Sequence, residues 1–147
     1  MAERRATAEW NGTLTEGNGK MALGSGAFEG AFSFNTRMGD EPGTNPEELI
    51  AAALAGCYAM ALNATLEKKG TTAKNVRTDA KVHFGKDDSG FRISRIDLSA
   101  EAVVDGTDDE SFQKIAEEVK QTCPISKALS AVEIRLDARL AKSSAAA

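Results

Sequence analysis

The run from Gly43 to Gly70, GTNPEELIAAALAGCYAMALNATLEKKG, constrains this chain more than any other feature. It reads as one long helix. Asn45 suits the N-cap, Pro46 suits the first helical position, and Glu47 and Glu48 complement the positive end of the macrodipole. Lys68 and Lys69 place charge of the right sign at the other end, and Gly70 supplies a residue free to turn. From Leu49 to Leu62 Tyr58 is the one polar side chain, so the helix is apolar all round and has to be covered on every side. A chain of 147 residues makes a single domain, 1–147, with one modest core, and a thin sheet covers only one flank of such a helix. The remaining cover comes most economically from a second copy of the same chain, with the helices packed across a two-fold axis. Ala51, Ala52, Ala53, Ala55, Ala59, Ala61 and Gly56 allow close approach, and a tight homodimer is therefore expected.

The elements around this helix predict an α+β domain of antiparallel strands carrying the long, largely buried central helix and a second helix. Short β-like runs cover Arg5 to Trp10, Lys20 to Leu23 and Phe28 to Phe34, with Phe28, Phe32 and Phe34 on one face. Asn35 to Thr44, containing Arg37, reads as an irregular loop. Val76, Thr78, Ala80, Val82 and Phe84 alternate as a half-buried strand. The next strand carries Phe91 and Ile93 on one parity but Ile96, Leu98, Ala100, Ala102 and Val104 on the other. A slip of this kind exposes half of the apolar side chains unless an extra residue absorbs it, which predicts a β-bulge near Ser94 and Arg95. Thr107 to Glu110 fits a capping box before Phe112, Ile115, Ala116 and Val119, and this helix should stop before Pro124. A short helical turn, Pro124 to Ser130, leads to a last strand with Val132, Ile134, Leu136, Ala138 and Leu140 on one face. The end of the chain, from about Lys142, reads as a frayed tail.

Several functions are disfavoured. A net charge of −4 with scattered basic residues argues against nucleic acid, which requires clustered Lys and Arg. No apolar stretch reads as long enough to span a bilayer and no signal peptide opens the chain, so a cytoplasmic protein is expected. His83 is the sole histidine and alternates with Val82 and Phe84, which makes it a solvated strand residue rather than a metal ligand or a general base.

The two cysteines carry the open question. In a reducing compartment they form no permanent staple, and their wide separation makes no local zinc or redox motif. Cys57, mid-helix among apolar residues, reads as a small buried hydrophobe or as a reactive thiol. Cys123 precedes Pro124 and so sits at the start of a helix, where the positive end favours thiolate. Helix physics alone ranks Cys123 as the more reactive.

FNTR, followed by GTNPEELIAAALAGCYAMAL and later by CPISKAL, resembles the OsmC/Ohr family of organic hydroperoxide reductases over nearly the whole chain, and the OsmC branch more closely. The resemblance implies a cysteine-based peroxidase that uses no metal, flavin or haem. Cys57 matches the peroxidatic cysteine, whose thiolate attacks an organic hydroperoxide, releases the alcohol and becomes a sulfenic acid. Cys123 matches the resolving cysteine, which condenses with it to a disulfide that a dithiol of the dihydrolipoyl type reopens. Arg37 matches the arginine that holds Cys57 as thiolate, and Glu47 the glutamate that orients it, while Glu48 faces solvent. Glu47 and Cys57 lie ten residues apart on one helix, about 15 Å, so an antiparallel helix pair would set Arg37 and Glu47 of one chain beside Cys57 of the other. The active site is then expected at the subunit interface. Phe28, Phe32, Phe34, Met38, Tyr58 and Met60 are candidates for an apolar approach to the thiol, against the plainer reading that they are core. A dimeric protein that binds an apolar ligand and keeps both thiols passive is the alternative. Arg37 with Glu47 separates the two readings, since a carrier needs no charged pair aimed at a cysteine.

Overall fold

The computed structural model describes residues 1–143. The chain divides into two compact units, Met1–Leu49 and the remainder from Ile50.

In the N-terminal unit, β1 (Ala6–Asn11), β2 (Asn18–Leu23) and β3 (Glu29–Phe32) form an antiparallel sheet in the order β1-β2-β3. Trp10 pairs with Gly19 and Gly19 with Phe32, so Trp10 and Phe32 meet over the glycine with ring centroids 5.4 Å apart. The expected run to Phe34 stops two residues short. Ser33 instead caps a five-residue helix, α1 (Phe34–Met38), where a loop had been expected. Its capping box is reciprocal: Thr36 N–H donates to Ser33 Oγ at 3.1 Å, and Ser33 N–H donates to Thr36 Oγ1 at 2.8 Å. One turn is too short to register as hydrophobic periodicity, and Phe34 lies in α1 rather than in the strand with Phe32.

The long helix, α2 (Pro46–Lys68), begins and ends as its sequence requires. Glu48 N–H donates to Asn45 Oδ1 at 2.8 Å. At the far end Gly70 takes φ +88°, and Thr71 N–H closes back on Leu66 O at 3.0 Å. Within the C-terminal unit, Leu54, Tyr58, Leu62 and Leu66 form a fully buried stripe at four-residue spacing. Ala52, Ala53 and Gly56 are exposed, and Met60 is 74% exposed. The helix is thus apolar all round but covered on one side within its own unit. One expectation is overturned: at 23 residues α2 is long and apolar enough to cross a bilayer by length and composition. Its buried stripe is the packing of a core helix.

The stripe packs with β5 (Gly90–Val104) and α3 (Asp109–Thr122) in one hydrophobic cluster that contains Ile96, Leu98, Phe112, Ile115 and Val119. β4 (Ala73–Asp87) pairs antiparallel with β5, and β6 (Glu133–Ala141) completes the sheet in the order β4-β5-β6. The expected bulge is present: His83 faces Arg95 while Phe84 faces Ile93, leaving Ser94 as the extra residue. An all-antiparallel sheet was expected, but β6 runs parallel to β5. The cause is the connection, since α3 and α4 (Pro124–Ala128) form a helical crossover that returns the chain in the same direction. The cap of α3 is Asp108, not Thr107: Ser111 N–H donates to Asp108 Oδ1 at 2.8 Å. The acidic side chain is the better acceptor at a positive helix end. Of the expected tail, Ser143 N–H reaches Asp105 Oδ1, and residues 144–147 lie outside the described residues.

Candidate active site

α1 and the first turn of α2 position a charged pair in the N-terminal unit. Arg37 leaves the last turn of α1, and its Nε donates to Glu47 Oε1 and Oε2 at 3.2 and 3.1 Å while Nη2 donates to Oε1 at 2.6 Å. The loop between them is tied down by Thr36 Oγ1, which donates to Thr44 O at 2.9 Å, and by Thr44 Oγ1, which donates to Glu48 Oε2 at 3.0 Å. Glu47 is 8% exposed, whereas Glu48 is open to solvent. The hydrogen bond that Arg37 donates to Glu47 raises the Arg37 pKa from an already high value, against the opposing effect of burial, so the guanidinium is a fixed positive charge.

The C-terminal unit brings the two thiols together. Cys57, on α2, is half-buried, and Cys123, between α3 and α4, is 1% exposed. Their Sγ atoms are 2.8 Å apart, and both cysteines are free. Burial pushes the Cys57 thiol up, the Cys123 sulfur adds to this, and the Ile125 N–H opposes it. Burial is also the largest single influence on Cys123, but the hydrogen bond with Cys57 and the contacts with Ser126 and Ile125 at the start of α4 outweigh it and lower the thiol. Within this unit the two shifts run in opposite directions, up for Cys57 and down for Cys123, and the partner thiol is the largest influence that lowers Cys123. Tyr58, a candidate for the apolar approach, is committed elsewhere: its hydroxyl donates to Ala116 O on α3 at 2.9 Å and its ring is fully buried. Phe28 lies over Gly30 and Phe32 against Trp10, while Met38 and Met60 remain exposed. Arg37 and Glu47 thus form one pair in the N-terminal unit, and Cys57 and Cys123 another in the C-terminal unit.

Segments of this sequence also match known proteins. The model of the OsmC-like protein family matches residues 39–137, a stretch that takes in Glu47, Cys57 and Cys123 but begins two residues past Arg37. Peroxiredoxin OsmC of Escherichia coli is 41% identical over 138 residues, covering 93% of this chain and 96% of that one. The chain belongs to the OsmC family. An organic hydroperoxide resistance protein of Xanthomonas axonopodis is 33% identical over 87 residues, 58% of this chain and 59% of that one. In three dimensions this OsmC-family chain is similar to the crystal structure of an organic hydroperoxide resistance protein from Elizabethkingia anophelis. The TM-score is 0.75 at 25% identity, covering 97% of this chain and 98% of that one.

Two features escaped the sequence reading. His83 is not simply solvated: its Nε2 lies 2.6 Å from Asp97 Oδ2, and Arg95, its register partner beside the bulge, bonds both residues. The alternation of β4 gave no hint, because the register slip decides which residue faces His83. Arg95 first, and His83 second, hold the Asp97 carboxyl down to about 2 from an ordinary 3.8. A carboxyl depressed on folding stabilises above its unfolded pKa, and this contribution disappears as pH falls through its folded pKa. In urea unfolding, wild type should therefore exceed Asp97→Asn at pH 5, and the gap should close between about pH 4 and 2. A gap that stays constant over this range would show that the cluster contributes no linked stability. The second feature is Ser126, three residues past Cys123, which is 5% exposed. The CPIS spacing, cap residue to third helical residue, was its available signal.

Proposed function

We propose that this protein is a thiol-dependent peroxidase that reduces organic hydroperoxides to alcohols, and that its working form is a homodimer of one OsmC-like domain per chain. The carrying observation is the 2.8 Å contact between Cys57 and Cys123. Two passive thiols need no such contact, whereas a sulfenic acid on one needs the other within reach. The names of the E. coli and Xanthomonas relatives favour the same chemistry.

In this reading the Cys57 thiolate attacks the distal oxygen of ROOH. The O–O bond breaks, the alkoxide takes a proton and leaves as alcohol, and Cys57 keeps the oxygen as sulfenic acid. The Cys123 thiolate then attacks the Cys57 sulfur, forming the S–S bond while hydroxide leaves and is protonated to water. A dithiol of the dihydrolipoyl type returns two electrons by exchange through a mixed disulfide.

Burial raises the Cys57 thiol, so attack at neutral pH requires a cation beside it. Arg37, fixed in charge and held by Glu47, is the group we assign to this role, contributed by one chain to Cys57 of the other. Supporting the dimer, the exposed side of α2 carries Ala52, Ala53, Gly56 and Met60, small or flexible residues suited to close helix contact. Its apolar surface is read here as a subunit interface rather than a membrane span, in keeping with a cytoplasmic protein.

Reduced protein treated with one equivalent of tert-butyl hydroperoxide per chain should lose both thiols and release one alcohol. Thiols that survive the treatment would instead favour the passive carrier.

A further inference from the structure

Cys123 is at once the C-cap of α3 and the N-cap of α4, with Pro124 at the first helical position. Counting from this cap, Ser126 is the third helical residue, the one that in a capping box reaches back to the cap. Here the cap side chain is a thiol. Ser126 is 5% exposed, and its Oγ is buried with no hydrogen-bond partner among the described residues. An orphaned hydroxyl in a core is costly, and its place as third helical residue puts it on the same first turn as the Cys123 cap, whose thiolate form it favours. A neutral thiol is a poor acceptor, so the hydroxyl stays unsatisfied while Cys123 is protonated. A thiolate is a good one, and the hydroxyl gains its partner when Cys123 ionises.

We propose that Ser126 is a positioning residue that stabilises Cys123 as thiolate, both when it attacks the Cys57 sulfenic acid and when it leaves the disulfide. The proposal rests on the peroxidase reading for its role in turnover, but not for its electrostatic content. In the first step the Cys123 electron pair forms the S–S bond and the hydroxyl returns to its unpartnered state. In reduction, a thiolate of the dithiol attacks the Cys57 sulfur, the S–S bond breaks, and its electron pair departs with Cys123 into the Ser126 hydroxyl. Access and leaving-group chemistry agree on this direction. Cys57 is half-buried while Cys123 is 1% exposed, and the lower-pKa thiol is the better leaving group.

The test uses the full chain carrying Cys57→Ser, so that Cys123 is the remaining thiol, titrated by the ultraviolet absorbance of the thiolate. Adding Ser126→Ala should raise the midpoint by about one unit, a roughly tenfold change in ionisation. Ser126→Gly, which deletes the same hydroxyl, should match it, and Ser126→Thr should restore the parent curve. Deletion variants that titrate with the parent overturn the proposal, and so does a rise that Thr does not reverse. In the otherwise native chain, Ser126→Ala should slow disulfide formation roughly tenfold after peroxide addition, seen as sulfenic acid trapped by dimedone. A trapped fraction equal to wild type would also overturn it. Failure of the native chain to react with peroxide would instead overturn the peroxidase reading and leave the titration standing.

Discussion

Cys57→Ser is expected to lower organic hydroperoxide reduction at least about 10³-fold, to the uncatalysed level, because a serine hydroxyl lacks both the acidity and the polarisable electron pair of the thiolate. Cys123→Ser should behave differently. The first equivalent of peroxide should still be reduced, by Cys57 alone, and turnover with a dithiol should then fall because the sulfenic acid has lost its neighbour at 2.8 Å. The pair of results separates the roles, since a merely structural contact predicts equal effects from either substitution. Dimedone should label Cys57 in the Cys123→Ser protein after peroxide and nothing in Cys57→Ser. Labelling at Cys123 in Cys57→Ser would reverse the assignment, and that result has a physical motive, for Cys123 is the thiol that its own unit favours as thiolate.

Arg37→Met should reduce activity roughly 10²-fold near neutral pH. Methionine keeps the length of the side chain but removes both the charge and the planar donors, so Cys57 is left with the burial that raises it and without the cation proposed to offset this. The loss has a signature in pH. Activity of the variant should climb as the pH is raised past the ordinary thiol range, about 8.5, while wild type is already near its plateau. Stability should change less than activity, since the Arg37 side chain is 39% exposed. The proposed sharing of the site between subunits makes the effect testable in trans. In a heterodimer of Arg37→Glu with Cys57→Ser, one site combines both defects and the other combines both native residues. About half of the sites should then work. A heterodimer with no activity would confine Arg37 to the Cys57 of its own chain, or remove it from the chemistry.

Much of the fold could be read in advance wherever a long periodic segment carried the signal. The caps of α2 at Asn45 and Gly70 are local chemistry and stand where the sequence put them. The bulge at Ser94 was legible because the apolar set of β5 changes parity between Ile93 and Ile96, and only an extra residue keeps both halves on one face. The direction of β6 was not legible. Its alternation is the same whether it runs parallel or antiparallel, and only the crossover through α3 and α4 decides it. The five residues of α1 were likewise too few for a period, although Ser33 and Thr36 carry its cap in plain sight.

The site divides along the same line. Glu47 as a partner for Arg37, with Glu48 turned to solvent, was implied by the family resemblance and not by the helix start, which treats both glutamates alike, and the structure pairs Arg37 with Glu47. That Cys57 and Cys123 touch could not be read from their separation, because contact between them depends on how α2 packs beside the α3–α4 junction. Ser126 stayed invisible for a related reason: a serine three residues past a helix cap is ordinary until its hydroxyl proves to be buried and unpartnered.

The most direct test is a peptide map under non-reducing conditions, made after reduced protein has met one equivalent of cumene hydroperoxide per chain. The account predicts a single new cross-linked species, in which the peptide containing Cys57 is joined to the peptide containing Cys123 of the same chain, together with one molecule of cumyl alcohol. Recovery of both peptides as free thiols, or of Cys57 joined to Cys57 between chains, would contradict it.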